Sequence, residues 1–299
     1  MNETLSTEAG RTVLRMERRL AHPPEKVWRA LTEPAHLSRW YPFDVVELEP
    51  WVGGKISVLG DITGEAVTVE GVVTEFDRPR VFAFSEDAGA VLDREGDNLL
   101  RFELRPDGDG CLLVFTHAFH DRPYAAANAA GWSACFDALE QVVAGRPVEM
   151  PDSYVAMHEA FVAAFGLDQG TVETTEDGWR VRFDRQLMQQ PIDKVWATLA
   201  TDAGTTEPGG PVPPAFTTDA APAGTATAVA PPAVLEYDWL AGDRPAGRVR
   251  WELSSDPAGT RVTLTQTGPR ELRELAAAAL TAWHAHLGRL AGRLPGAER

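Results

Sequence analysis

The sequence predicts an α+β protein made of two diverged copies of one small domain, and three observations carry that prediction. The chain has 299 residues, where a domain takes roughly 100–200. One run recurs, as Leu20-Ala-His-Pro-Pro-Glu-Lys-Val-Trp28-Arg-Ala-Leu-Thr32 and as Met188-Gln-Gln-Pro-Ile-Asp-Lys-Val-Trp196-Ala-Thr-Leu-Ala200. Both halves then close on the same pattern, a hairpin of strands followed by a long helix.

Taken in order, each copy opens on an alternating apolar/polar stretch, Thr12 to Arg19 and Trp179 to Leu187, which reads as a half-buried strand. A proline then starts a helix where its missing N–H is harmless. In the first copy the middle runs Phe43 to Glu49, Gly53-Gly54, Lys55 to Leu59, Ala66 to Phe76 and Val81 to Ser85. Leu99 to Leu104, a turn at Pro106 to Gly110, and Cys111 to His117 form a hairpin, and a helix is predicted from Tyr124 to Ala144. The second copy repeats the hairpin at Arg248 to Leu253 and Arg261 to Gln266, with a helix from about Glu271 to Leu290.

The predicted domains are residues 11–146, complete, and 179–292, degenerate. In the second, 202–233 is rich in Pro, Ala, Thr and Gly and reads as a flexible or irregular loop in place of most middle strands. Residues 147–178 read as a connector with one short helix, Tyr154 to Phe165, ended by Gly166 as a C-cap.

Composition excludes several classes. The formal charge of −16 disfavours nucleic acid and anionic membrane as partners. No apolar run reaches the ~18 residues of a membrane span, and MNETLSTEAGR lacks a signal-peptide plan, so a cytoplasmic location is expected. Cys111 and Cys135, the only cysteines, read as small buried hydrophobes and not a disulfide. There is no phosphate loop, dinucleotide fingerprint or nucleophile elbow. His284-Ala-His286 cannot chelate one metal, because residues two apart on a helix diverge. No metal and no cofactor are expected.

The run Pro23-Pro-Glu-Lys-Val-Trp28-Arg-Ala-Leu-Thr-Glu-Pro34, followed by Leu37-Ser-Arg-Trp40, Gly53-Gly54 and Gly131-Trp132, resembles the bacterial homologues of the heat-shock-protein-90 ATPase activator. That family lies in the START-like, or SRPBCC, superfamily. The resemblance covers about 11–146 well and 179–292 more faintly. It implies two tandem helix-grip domains, each a curved antiparallel sheet wrapped around a long C-terminal helix, with a ligand cavity between. Similar proteins of this fold include lipid carriers, polyketide aromatase/cyclases and enediyne self-resistance proteins.

Within that expectation the period-2 rule assigns an inner wall. Phe82, Phe84, Phe102 and Phe115 point inward, with Trp40, Phe43 and Trp51 from the more open end. His117 shares the inward face and is either a polar anchor for a ligand or a satisfied core histidine. On the long helix, small residues including Gly131, Ala134 and Cys135 lie beside a face carrying Trp132 and Phe136. Small residues toward a sheet leave room for a ligand or allow close packing. Leu112 and Val114, apolar on the outward face, point to a homodimer or a tight interdomain contact.

The expected function is binding of an apolar or polycyclic small molecule in the first domain, for sequestration, transport or antibiotic self-resistance. An aromatase/cyclase-like enzyme, with His117 as acid/base or His117 paired with Cys135, is one alternative. A co-chaperone or interaction protein is another.

Overall fold

The computed structural model describes residues 3–62, 65–90, 92, 95–201 and 206–294. It divides into two units, Met1–Asp152 and Ser153–Arg299. The boundary falls inside the span expected as a connector.

In the first unit β1 (Thr4–Glu8) and β2 (Arg11–Leu20) lead into α1 (Pro24–Thr32) and the single turn α2 (Pro34–Leu37). A meander follows: β3 (Asp44–Leu48), β4 (Lys55–Ile62), β5 (Glu65–Asp77), β6 (Val81–Asp87), β7 (Asp97–Asp107) and β8 (Gly110–Phe119). The unit ends on α3 (Ala125–Val143), preceded by a 3₁₀ turn over Arg122–Tyr124. The eight strands form one antiparallel sheet in the order β1-β2-β8-β7-β6-β5-β4-β3. Gly53 turns the chain between β3 and β4 at φ +88°, a conformation that favours glycine.

The inner wall is a ladder row. Phe82 lies opposite Phe102 and Phe102 opposite Phe115, so the three rings cross adjacent strands. Helix α3 buries almost all of its circumference, and Ala127, Ala134, Cys135 and Ala138 are all buried. These four small residues are therefore packed and not open to solvent.

Leu112 and Val114, the residues expected at a homodimer or interdomain contact, stand in one column on the outer face of the sheet. Val114 is 4% exposed. The register sets Thr116, Val114 and Leu112 between Arg15, Glu17 and Arg19 on one side and Arg101, Glu103 and Arg105 on the other. Glu17 pairs with Arg15, and Glu103 with both Arg101 and Arg105 at 2.7 Å. Arginine stems beside an apolar column can cover it while their charged heads stay wet.

In the second unit α4 (Val155–Phe165) ends at Gly166 in the left-handed region, as its sequence predicts. Its Glu159 holds the buried Arg185. Then come β9 (Thr171–Thr174), β10 (Gly178–Met188), α5 (Ile192–Leu199), β11 (Ala223–Ala230), β12 (Val234–Ala241), β13 (Arg244–Asp256), β14 (Gly259–Pro269) and α6 (Leu275–Arg293). The sheet order is β11-β12-β13-β14-β10-β9.

Residues 202–205 lie outside the described residues, but the rest of the predicted loop 202–233 is a correction. It contains β11, an edge strand bracketed by Pro222 and Pro231, where prolines do not interrupt a ladder. It also contains Phe216, fully buried, whose carbonyl accepts from Tyr237 Oη at 2.9 Å and Trp251 Nε1 at 3.1 Å. Beside the first sheet, and among the described residues, only counterparts of β3 and β4 are lacking.

Candidate functional site

The first unit's interior is aromatic and closed. Phe82, Phe84, Phe102 and Phe115 are at most 1% exposed, so no water-sized space borders them. Trp40 is anchored by its indole N–H, which donates to Ala30 O at 2.8 Å, and its ring meets Phe102 and Phe136. Trp132 packs on Phe115 with centroids 4.5 Å apart. Phe43 is half-buried and reaches Tyr41. It lies so close over Gly60 that a Cβ there would meet its ring at 2.3 Å. Trp51 does not join the cluster and stands 53% exposed.

Gly131 is likewise outside the interior. It is half-exposed on α3, and nothing stands within 4 Å of where a Cβ would be, so close packing does not explain it. Nothing in the structure requires glycine there.

One end of this apolar interior is polar. The Trp132 indole donates to His117 Nδ1 at 3.1 Å. Nδ1 thus being the acceptor, the neutral ring carries its proton on Nε2. Nε2 is buried and has no partner among the described residues. Two further inner-face residues lie near, opposite each other on neighbouring strands: Glu86 on β6 and Asn98 on β7. Asn98 is buried and its Oδ1 has no partner either. Tyr41 Oη donates to the Glu86 carboxylate.

Burial governs the titration of this end. It pushes His117 down to about 3 and the Cys135 thiol up to about 12. His117 is then a neutral donor, not a base, and Cys135 a thiol, not a nucleophile. Burial pushes Glu86 up to about 7, against the opposing pull of the Tyr41 hydrogen bond. Among these groups Glu86 is the one poised near neutrality.

His117 follows from strand alternation, whereas Tyr41, Glu86 and Asn98 were missed in the sequence. The signal was present for two of them: the inward register of Phe82 and Phe84 continues to Glu86, and that of Leu104 and Phe102 continues back to Asn98. Tyr41, in the bend after α2, carries no such signal.

Equivalent register positions in the second unit are filled differently. Trp283 Nε1 donates to Gln266 Oε1 at 2.6 Å, which repeats the Trp132–His117 tether. Leu100 faces His117 as Val249 faces Gln266, so Asn98 corresponds to Gly247 and Glu86 to Trp239. Trp239 lies over Gly247, its indole nitrogen 2.8 Å from where a Cβ would stand. The polar end of the first unit is a tryptophan plug in the second.

His284 and His286 find different partners, Asp168 Oδ2 at 2.9 Å and Ala215 O at 2.8 Å, which fits their divergence on the helix. Among the described residues no group of three His, Cys, Asp or Glu could hold a metal, and no helix is long and apolar enough to cross a membrane.

A family model described as "Activator of Hsp90 ATPase homolog 1-like protein" matches the chain twice, over residues 21–144 and 187–294. The chain belongs to this family. Both copies of the repeat are members of it, the second with fewer strands. Solved structures similar to single units include CalU16 from Micromonospora echinospora, 20% identical over 55% of this chain and 94% of that one, with a TM-score of 0.43. A conserved protein of unknown function from Enterococcus faecalis is 20% identical over 55% of this chain and 90% of its own, TM-score 0.44. A protein from Mesorhizobium loti is 25% identical over 44% and 97%, TM-score 0.39. No curated protein matches the chain.

Proposed function

We propose that the first unit binds an apolar, polycyclic small molecule carrying a hydroxyl or phenol, in a sequestration, transport or self-resistance role. The supporting observation is the pair of buried polar atoms of opposite sense left without partners, the His117 Nε2 donor and the Asn98 Oδ1 acceptor, at one end of an aromatic interior. Orphaned buried polar groups cost about 1–3 kcal/mol each, and a hydroxyl can satisfy both kinds. Because the rings are closed on one another, the ligand enters by displacing Tyr41 and Trp132, which sit on a bend and a helix and not on the sheet.

Thermal unfolding and calorimetry with a hydroxylated anthraquinone and its unsubstituted parent test this. The hydroxylated ring is expected to stabilise the protein, by about 2.7 kcal/mol at a hundredfold excess over Kd, and His117→Phe to erase its advantage. Equal or absent stabilisation by both rings would overturn the reading.

A catalytic reading is favoured only through Glu86, whose carboxyl near 7 suits general acid/base work. Turnover of a poly-β-ketone that survives Glu86→Gln would remove it.

A further inference from the structure

The second unit carries a cleft separate from its packed interior. It has a volume of about 1080 Å³ and is bounded by the end of α5, the 214–222 segment and the C-terminal half of α6. No sheet residue lines it. One wall is apolar, with Pro214, Ala215, Ala282 and Ala285 reaching its surface and Leu290 almost buried behind them. The other presents Arg289 and Arg293, one turn apart on α6 and thus on one face.

Among the described residues these two guanidinium groups form no ion pair, as Arg39, Arg78, Arg122 and Arg146 do not either, and what sets them apart is that both line one cleft. Arg15, Arg101, Arg105, Arg182, Arg185 and Arg250 are all ion-paired. Among the described residues Arg289 and Arg293 have no carboxylate within 4.0 Å, although the chain carries a net charge of −16. Asp219 also lines the cleft but makes no ion pair with either. Thr218, on the facing segment, has a buried hydroxyl oxygen with no partner. His286 is occupied, its Nε2–H donating to Ala215 O, and burial with the two arginines depresses its protonation.

We infer that this cleft binds an amphipathic organic anion, its apolar body on the wall of Pro214, Ala215 and Ala282 and its carboxylate or phosphate head on Arg289, Arg293 and Thr218. A guanidinium fork matches either head group. The volume suits a ligand of ordinary small-molecule size. The carbonyl end of α6 repels anions, so the guanidinium groups supply the charge that holds the head here, with the Thr218 hydroxyl beside them. Their removal should erase the preference for an anionic head and leave only what the apolar wall contributes.

Calorimetric titration of the full chain with dodecanoate, dodecyl phosphate and dodecanol tests the inference. One or both anions should bind at least tenfold tighter than dodecanol, and the better arm identifies the head group. Arg289→Gln with Arg293→Gln should bring the anions down to the level of dodecanol. Ala285→Trp, at an exposed position lining the cleft, should block binding without touching the core. Dodecanol binding as tightly as the anions, no binding of either anion, or anion binding unchanged in both variants would overturn it.

Discussion

Glu86→Gln is expected to stabilise the first unit by an amount that grows with pH. Burial pushes the Glu86 carboxyl up to about 7 from an ordinary 4.5. A folded-state value above the unfolded one penalises the carboxylate. The stability linked to Glu86 is therefore whole below pH about 4.5 and is lost as pH rises through about 7. At about 1.36 kcal/mol per pH unit, the loss is close to zero at pH 4, about 2 kcal/mol at pH 6 and about 3 kcal/mol at pH 8. These are ceilings, since the carboxyl is only half-buried and water screens it. Glutamine does not titrate, and its amide oxygen still accepts the Tyr41 hydroxyl. At about 2–4 °C per kcal/mol for a unit of this size, the variant should melt above the parent at pH 8, by at most about 6–12 °C, and level with it at pH 4. Circular-dichroism melts at pH 4, 6 and 8 read this directly. A difference that does not change with pH, or a variant less stable at pH 8, would refute the burial of a titrating carboxyl at this position.

Three further outcomes follow from the packing. Trp132→Phe should cost about 1–3 kcal/mol in denaturant melts by leaving buried His117 Nδ1 without its donor, and Trp283→Phe should do the same to Gln266 Oε1; two undisturbed midpoints would dissolve the tether. Gly131→Ala has open space for its methyl and should stabilise α3 by about 0.5–1 kcal/mol, read as a raised midpoint at unchanged m. Glu159→Ala strips the ion-pair partner from Arg185, which is 5% exposed, and should cost about 3–5 kcal/mol, less whatever Gln186 O returns; a loss under 1 kcal/mol would mean that the pair is solvated.

Much of the fold was legible because repetition and period-2 alternation are strong local signals. The Lys26-Val27-Trp28 and Lys194-Val195-Trp196 matches register the copies, and the inward set Phe82, Phe84, Phe102 and Phe115 falls where alternation puts it. What was not legible depends on neighbours. Val114 reads as an apolar outer position, and only the register shows that Glu17 and Glu103, each arginine-paired, stand on either side of it. The span after 205 reads as a loop because Ala, Thr and Pro carry little periodicity. Only its distant partners Trp251 and Tyr237 explain why Phe216 is buried there. Trp51 reads as wall because it is aromatic, but it sits in the turn between β3 and β4 and faces solvent.

The divergence of the two copies bears on where a ligand goes. Both retain a helix tryptophan donating to an inward strand residue, with His117 in one and Gln266 in the other, so this bond is compatible with the fold whether or not anything binds. Each strand residue also leaves one buried nitrogen unpartnered, which makes that orphan alone a poor marker of a site. The discriminating positions are the next ones along. In the second unit Trp239 and Gly247 close the space, and the tryptophan satisfies its own N–H on Thr267 O at 2.7 Å. In the first, Glu86 and Asn98 put an acid near neutrality and an unpaired carbonyl in the same place. A merely structural end should tolerate the plug. Glu86→Trp with Asn98→Gly would transplant it, and the binding reading requires that this double variant fold as stably as the parent while losing all response to the hydroxylated ring. A plugged first unit that still responded would place the ligand elsewhere.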